Sequence, residues 1–121
     1  MAAAERVLVI GASTNTGRYS ALAIRMLLDH GHVPVAIGAR PGSVHDVDIL
    51  TEVPEGPFDT VTMYIRPSIQ AVHRHTILAR APKRVIFNPG TENPAFQNEL
   101  RDHGIDVLEA CTLVLLRTGQ Y

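Results

Sequence analysis

Several features are scarce in this sequence, and each scarcity excludes a class of protein. Cysteine occurs once, at Cys111, so an intrachain disulfide framework and a cysteine-rich metal site are both excluded. No apolar run approaches the roughly 20 residues that a bilayer requires, and the initial MAAAER lacks the layout of a signal peptide. The formal charge is only −1, with both signs interspersed, which indicates no nucleic-acid partner and no membrane partner. We therefore expect a cytoplasmic protein.

What is present predicts an α/β fold. The 121 residues, of which 45% are hydrophobic, suffice for one domain, residues 1–121, with a single core. Short apolar or β-branched runs that predict strands occur at 6–10, 33–37, 60–65, 84–87 and 106–110. The segments between these runs are too long for hairpins. We therefore expect a three-layer structure with a five-stranded parallel sheet covered by helices on both faces.

The helices are predicted from their end signals. Ser20 is placed to cap the first helix, which Gly31 ends. Pro67 opens a later helix that Pro82 ends, and its inward side is predicted to hold four residues: Ile69, Val72, Thr76 and Leu78. Asn93 and Pro94 open the last predicted helix, with Phe96 and Leu100 facing inward. Residues 41–59, rich in proline and glycine, predict only a short helix or a turn.

The first strand runs into the loop of VLVIGASTNTGRYS, residues 7–20, which then leads into a helix. Backbone amides and the helix dipole favour a phosphate at such a junction. Serine stands where the dinucleotide fingerprint has its second glycine, and five residues separate Gly11 from Gly17 where a P-loop has four. The loop therefore predicts either a phosphate-binding turn of another kind or a turn that is merely polar.

Other polar residues follow the ends of the predicted strands. Arg40 stands where an NAD-binding domain carries an acidic residue, so NAD is disfavoured, and a phosphate on the ribose of NADP or coenzyme A would suit the guanidinium. Arg66-Pro67 and the segment NPGTEN, which begins at Asn88, follow two further strands. Ligands of open parallel sheets bind at this edge. Each of these residues also has a structural interpretation, as a solvated arginine or as part of a helix-opening turn.

These motifs together resemble the small single-domain CoA-binding proteins, which are similar to the nucleotide-binding domain of the succinyl-CoA synthetase α subunit. The resemblance covers residues 5–121 and includes the late cysteine in EACTLVLLRTGQY. It implies a Rossmann-like fold that binds coenzyme A (CoA) and has no settled catalytic activity. It places the pyrophosphate at the loop that contains Gly11, Ala12, Ser13, Thr14, Arg18 and Ser20. It places the adenosine phosphate at Arg40, and the adenine and pantetheine path along Arg66, Pro67, Asn88 and Gly90. The synthetase's phosphohistidine has no counterpart here.

Other chemistry finds little support in the sequence. His73 and His75 stand two apart in a predicted helix, so they face different sides and do not form a metal site. Lys83 is the only lysine and follows Pro82, so the Tyr-x-x-x-Lys pair of short-chain reductases is missing. Cys111 is either an apolar strand residue or a redox-active thiol that meets the thiol of CoA.

Two functional hypotheses remain, with a third behind them, a scaffold whose nucleotide site has decayed. The first is a module that binds CoA or acyl-CoA as a carrier, sensor or regulatory unit, with no catalytic residue. The second is an NADP- or CoA-dependent enzyme whose catalytic residues the sequence does not identify.

Overall fold

The computed structural model describes residues 3–121, and this part of the chain forms one sheet with helices on both faces. The elements in chain order are β1 (Arg6–Ile10), α1 (Tyr19–Asp29), β2 (Val33–Ile37), β3 (Gly42–Val44), β4 (Val47–Leu50), β5 (Thr60–Met63), α2 (Pro67–Arg80), β6 (Arg84–Phe87), α3 (Pro94–Asp102), β7 (Asp106–Glu109) and α4 (Thr112–Arg117). Within residues 3–121, no helix is both long enough and apolar enough to span a bilayer.

The sheet is mostly parallel, in the order β3-β4-β2-β1-β5-β6-β7. Leu8 of β1 lies opposite Val35 of β2 on one side and Val61 of β5 on the other, and only β3 runs antiparallel to its neighbour. The chain moves outward from β1 to β2 and β4 and then returns to the other side of β1 with β5. The strand order therefore reverses at β1, and the predicted Rossmann-like α/β fold is confirmed.

The predicted strand count of five is wrong, because the sheet has seven strands. The two additional strands, β3 and β4, form a hairpin within residues 41–59, where the sequence predicts a short helix or a turn. His45 and Asp46 form its turn at φ values of 49° and 64°, the positive region that a two-residue hairpin turn requires. The strands are only three and four residues long, and the turn lacks the Asn-Gly or Asp-Gly sequence that usually marks such a hairpin.

Alternating side chains of the strands build two hydrophobic cores. Leu8 and Ile10 of β1 face α2 and α3, where they join Ile77, Phe96 and their neighbours. The alternate residues Val7 and Val9 face α1 and α4 together with Ile24 and Leu116. The four residues of β1 from Val7 to Ile10 and all of β5 are therefore buried, as parallel sheets require.

Most helix ends agree with their sequence signals. Pro67 and Pro94 open α2 and α3, and Asn93 accepts a hydrogen bond from the Phe96 amide. Gly31 follows α1 at φ +81°, a conformation that glycine adopts without strain. Helix α4 lies in a segment for which the sequence predicts no helix.

Two helix predictions are wrong. Arg18, not Ser20, is the N-cap of α1, and Ser20 lies buried as the second residue of the helix. On α2 the expected inward residues Ile69 and Val72 are exposed, whereas Gln70 is buried. The reason is that the Gln70 side chain donates hydrogen bonds to the carbonyls of Ile65 and Thr91, which fixes a different face of α2 toward the sheet.

Candidate functional site

A cavity of about 250 Å³ opens at the point where the strand order reverses, beside the carboxyl ends of β1, β2 and β5. We call it the switch-point cavity. Its lining residues are Gly11, Ile37, Gly38, Ala39, Thr51, Ile65, Ile69, Val72 and His73. In open α/β sheets this is the location where ligands bind. The walls are mainly aliphatic, which suits a flat apolar ring.

Two glycines let the β1–α1 loop approach the neighbouring strands. A Cβ atom on Gly38 would lie 2.5 Å from the Ala12 carbonyl oxygen and 2.8 Å from Ile49 Cγ2. Gly11 has φ +104°, and a Cβ atom there would lie 3.0 Å from the backbone carbon of Tyr64. The Gly11 and Ala12 amides both donate to the Ile37 carbonyl, at 2.9 and 2.8 Å. The loop is therefore held against β2, and these two amides are already used.

The rest of this loop is ordered by short internal hydrogen bonds. The Asn15 amide donates to Ser13 Oγ, and the Gly17 amide donates to Asn15 Oδ1. A Cβ atom on Gly42 would lie 2.7 Å from Thr14 Cγ2, so the first residue of β3 packs beside the loop. Ser13 and Thr14 thus lie between β1 and the first turn of α1, where their hydroxyls can reach a ligand.

The first turn of α1 receives no capping side chain, because the N-cap Arg18 makes no such hydrogen bond and no acidic residue lies in that turn. The first amides of a helix have no intrahelical partner, and together with the helix dipole they attract an anion. Arg18 itself is exposed. The α1 start therefore combines unused amides with a positive side chain.

Three arginines follow the carboxyl ends of the three central strands: Arg18 after β1, Arg40 after β2 and Arg66 after β5. All three are exposed, and Arg66 donates from Nε to Ser68 Oγ at 3.1 Å. Across residues 3–121, none of the three forms a salt bridge with a carboxylate. The sequence-predicted residues at these three strand ends are therefore brought to one edge of the sheet.

Asn88, the first residue of the NPGTEN segment, is bonded within the fold, whereas the three arginines are exposed. Asn88 is buried, and its Nδ2 donates to Thr62 Oγ1 and to the Met63 carbonyl, each at 2.8 Å. Its Oδ1 accepts from the Thr112 amide at 2.8 Å, so Asn88 caps the start of α4. Gly90 is exposed at φ +92°, and its amide donates to Glu92 Oε1. The polar atoms of Asn88 are thus used within the fold.

A second cavity, of about 360 Å³, lies between α1 and α4, and we call it the α1–α4 cavity. Its lining residues are Tyr19, Leu22, Tyr64, Asn88, Pro89, Cys111, Leu113, Val114 and Arg117. Burial raises the pKa of the Tyr64 phenol to about 12, against smaller opposing effects of the Thr112 and Thr62 hydroxyls. Cys111 is partly buried on the cavity wall, so it lies at the same edge of the sheet as the loop of residues 11–18.

The sequence carries no signal for the α2 residues of the switch-point cavity. Helical spacing predicts Ile69 and Val72 in the core, and the spacing of His73 from His75 bears only on a metal site. Burial lowers the pKa of His73 below its usual value of 6.5, which favours a neutral ring beside the apolar wall. His75 is exposed, and no three His, Cys, Asp or Glu side chains within residues 3–121 lie together as metal ligands.

Comparison with protein families gives one clear assignment. The profile of the CoA binding domain family matches residues 5–117, and the chain therefore belongs to that family. Comparison with curated protein sequences gives no match.

Solved structures agree with this fold. The crystal structure of an uncharacterized protein is 43% identical with a TM-score of 0.94, covering 99% of this chain and all of that one (100%). The cell-free ID.343 protein from Thermus thermophilus is 22% identical with a TM-score of 0.85, covering 98% of this chain and 91% of that protein. A dinucleotide-forming acetyl-coenzyme A synthetase from Ca. Korarchaeum cryptofilum, at 15% identity and a TM-score of 0.72, matches 88% of this chain over 25% of its own length. The last two are similar in fold alone.

Proposed function

We propose that this chain binds CoA or an acyl-CoA at the carboxyl edge of its sheet and acts as a carrier, sensor or regulatory module. The observation that supports this most is the set of exposed arginines without acidic partners within residues 3–121, Arg18, Arg40 and Arg66, at the carboxyl edge of the sheet. Membership in the CoA binding domain family supports the same ligand. CoA carries a diphosphate and a ribose phosphate, which match this distribution of positive charge.

In this proposal the diphosphate lies at the start of α1. The unused amides of the first helical turn, the hydroxyls of Ser13 and Thr14 and the Arg18 guanidinium supply donors to its oxygens. Gly11 and Ala12 contribute by shape, because their amides already bind the Ile37 carbonyl. Ser20, which is buried, contributes packing at the base of the loop.

The adenosine end of the ligand would lie in the switch-point cavity. The adenine ring packs against the aliphatic walls there, and Arg40, which directly follows the lining residue Ala39, pairs with the ribose phosphate. Arg66, Pro67 and Gly90 lie along the remaining edge of the sheet, where the pantetheine arm would pass. Asn88 would contribute indirectly, because its side chain holds the start of α4 beside this path.

Titration calorimetry of the chain with CoA, dephospho-CoA, NADP and NAD tests the proposal. We expect CoA to bind about tenfold more tightly than dephospho-CoA, which corresponds to about 1.4 kcal/mol for an exposed arginine–phosphate pair. In the Arg40→Ala variant the two ligands should bind equally. Arg25→Ala, which removes an exposed arginine from the middle of α1, is the matched control and should keep the tenfold ratio.

Two results would overturn the proposal. A chain that binds none of the CoA ligands at millimolar concentration has no CoA site. Tighter binding of NADP than of CoA would favour the alternative, an NADP-dependent enzyme. If the Arg40→Ala and Arg25→Ala variants both retain the tenfold preference, Arg40 is not the residue that recognises the ribose phosphate.

A further inference from the structure

The α1–α4 cavity is a second space at the same edge of the sheet. Its volume of about 360 Å³ falls within the range of small-molecule sites, which begins at roughly 300 Å³. Around it lie three exposed large apolar side chains, Tyr19 at 71%, Val114 at 49% and Leu22 at 37%. Clustered apolar exposure of this kind marks a surface that something covers.

The β1–α1 loop stands between the two cavities. Gly11 lines the switch-point cavity, and the backbone of Tyr64, which lines the α1–α4 cavity, packs directly on Gly11. Tyr19, on the other wall of the α1–α4 cavity, immediately follows Arg18. A ligand whose phosphates lie at the α1 start, with its base in the switch-point cavity, therefore extends in its other direction toward the α1–α4 cavity.

The chemistry of the α1–α4 cavity favours a hydrocarbon group. Asn88 is the one amide side chain among its lining residues, and both ends of that amide are bonded within the fold. Tyr19 and Arg117 are exposed, so within residues 3–121 the buried part of the lining offers one unpartnered polar atom, Tyr64 Oη. A buried amide without a partner is costly, and one hydroxyl cannot satisfy the two amides of the pantetheine arm, so that arm fits this space poorly. An aliphatic chain needs no such partner and gains from contact with Leu22, Leu113 and Val114.

We propose that the α1–α4 cavity holds the acyl chain of an acyl-CoA, so that the ligand of this protein is an apolar acyl thioester rather than free CoA. The inference rests on the proposed function, because it needs the nucleotide end of the ligand at the α1 start. The thioester then lies near the mouth of the cavity, beside Cys111, and the acyl chain packs between α1 and α4.

Calorimetry with CoA, acetyl-CoA and octanoyl-CoA tests this inference. Each buried methylene strengthens binding about fourfold, so burial of half of the six methylenes that distinguish octanoyl-CoA from acetyl-CoA gives about sixtyfold tighter binding. A second readout is the rate at which iodoacetamide alkylates Cys111, the only cysteine, followed by intact mass. At equal saturation, octanoyl-CoA should slow this reaction more than acetyl-CoA does.

Two matched variants on α1 distinguish binding of the acyl chain in the cavity from nonspecific binding to exposed apolar surface. Leu22→Asn changes a lining residue that is 37% exposed, whereas Leu28→Asn changes an α1 residue that is 40% exposed and lies outside the cavity. The ratio of octanoyl-CoA to acetyl-CoA affinity should fall at least fivefold in Leu22→Asn and in Val114→Asn. It should stay unchanged in Leu28→Asn.

The outcomes are distinct. If CoA and acetyl-CoA bind but octanoyl-CoA gains less than threefold, the inference is wrong and the proposed function stands. If no CoA ligand binds, the proposed function fails and the inference fails with it. If light scattering shows a dimer that Leu22→Asn dissociates, while acyl length has no effect, a second copy of the chain covers this surface and the inference is wrong.

Discussion

The two ends of the sheet carry similar side chains but use them differently. At the amino end the charged groups bond within the fold: Lys83 lies 3.2 Å from Asp59 and Arg84 Nη2 lies 3.7 Å from Glu5. Arg6 donates to the backbone carbonyls of Glu55 and Pro57. At the carboxyl end Arg18, Arg40 and Arg66 form no salt bridge within residues 3–121. The charged side chains of the amino end therefore have partners within the fold, whereas the carboxyl end retains unpaired positive charge.

This contrast separates stability from binding. An arginine that stacks on an aromatic ring and bonds to a buried hydroxyl, as Arg84 does with Tyr121 and Thr60, contributes to the folded state. An exposed arginine without a partner contributes little to folding and keeps its donors for a ligand. Substitutions at the amino end should consequently lower the free energy of unfolding and leave CoA affinity nearly unchanged. Substitutions at the carboxyl end should lower CoA affinity and leave the free energy of unfolding nearly unchanged.

The largest effect on stability is expected at Asn88. This residue lies at the carboxyl end, but its polar atoms are bonded within the fold, as at the amino end. Asn88→Ala removes three buried hydrogen bonds, to Thr62, Met63 and Thr112. The Met63 carbonyl and the Thr112 amide lose this partner, whereas Thr62 Oγ1 keeps its hydrogen bond with Thr112 Oγ1. We expect the free energy of unfolding to fall by about 3 kcal/mol, at one or more kcal/mol for each stranded group. Urea denaturation monitors it. A loss below about 1 kcal/mol would mean that water replaces the amide and that Asn88 is free for a ligand.

Arg18→Ala should weaken ligand binding at the carboxyl end of the sheet without affecting stability. Loss of the guanidinium at the α1 start should weaken CoA about tenfold, or about 1.4 kcal/mol, with the unfolding midpoint nearly unchanged. Dephospho-CoA should weaken by the same factor, because both ligands carry the diphosphate. Calorimetry and urea denaturation of one preparation measure both quantities. CoA affinity equal to that of the parent would place the diphosphate elsewhere.

Arg84→Ala should give the reverse result. The side chain stacks 4.4 Å from the centroid of Tyr121 and donates from Nε to Thr60 Oγ1 at 2.8 Å. We expect unfolding to become easier by about 1–2 kcal/mol, the sum of a cation–π contact and one hydrogen bond, with CoA affinity within twofold of the parent. If CoA affinity falls as much as in Arg18→Ala, the two ends of the sheet are not independent.

The amino end should also respond to acid. A hydrogen bond from the Arg6 amide, aided by Lys83, lowers the pKa of Asp59 below its usual 3.8. The folded state therefore holds the proton less readily than the unfolded state, so this stabilisation is present above pH 3.8 and disappears as the pH falls through the folded pKa. Asp59→Asn should be less stable than the parent at pH 7, with the gap closing below pH 3.8. A gap that does not vary from pH 7 to pH 3 would contradict this assignment.

The smallest structural effect, but a specific chemical one, is expected at Cys111. In the presence of CoA disulfide, the Cys111 thiolate would attack one sulfur and release one CoA thiolate, leaving a mixed disulfide on the wall of the α1–α4 cavity. Intact mass should show one added CoA, which a reductant removes and which Cys111→Ser never acquires. An unmodified chain that nonetheless binds CoA would leave Cys111 with a packing role.

Much of this arrangement follows from local patterns. Each of the five predicted apolar runs contains a strand of the sheet, and Pro67, Asn93, Gly31 and Gly104 mark helix ends because capping and left-handed turns depend on neighbouring residues alone. The positions of Arg18, Arg40 and Arg66 after strands could be predicted for the same reason. The Ser20 cap failed because the loop continues to Arg18 and the helix begins one residue before Ser20.

The remaining features depend on contacts between distant parts of the chain. The β3–β4 hairpin contributes Val44 and Ile49 to the hydrophobic core that also contains residues of β1, β2 and α1. The face of α2 that lies toward the sheet is set by Gln70 bonding to Thr91. The sequence by itself determined the α/β rhythm and placed an arginine after each of the three central strands. Only the tertiary structure decided which of the arginines meet an acid and which do not, because pairing depends on what lies across space from each side chain.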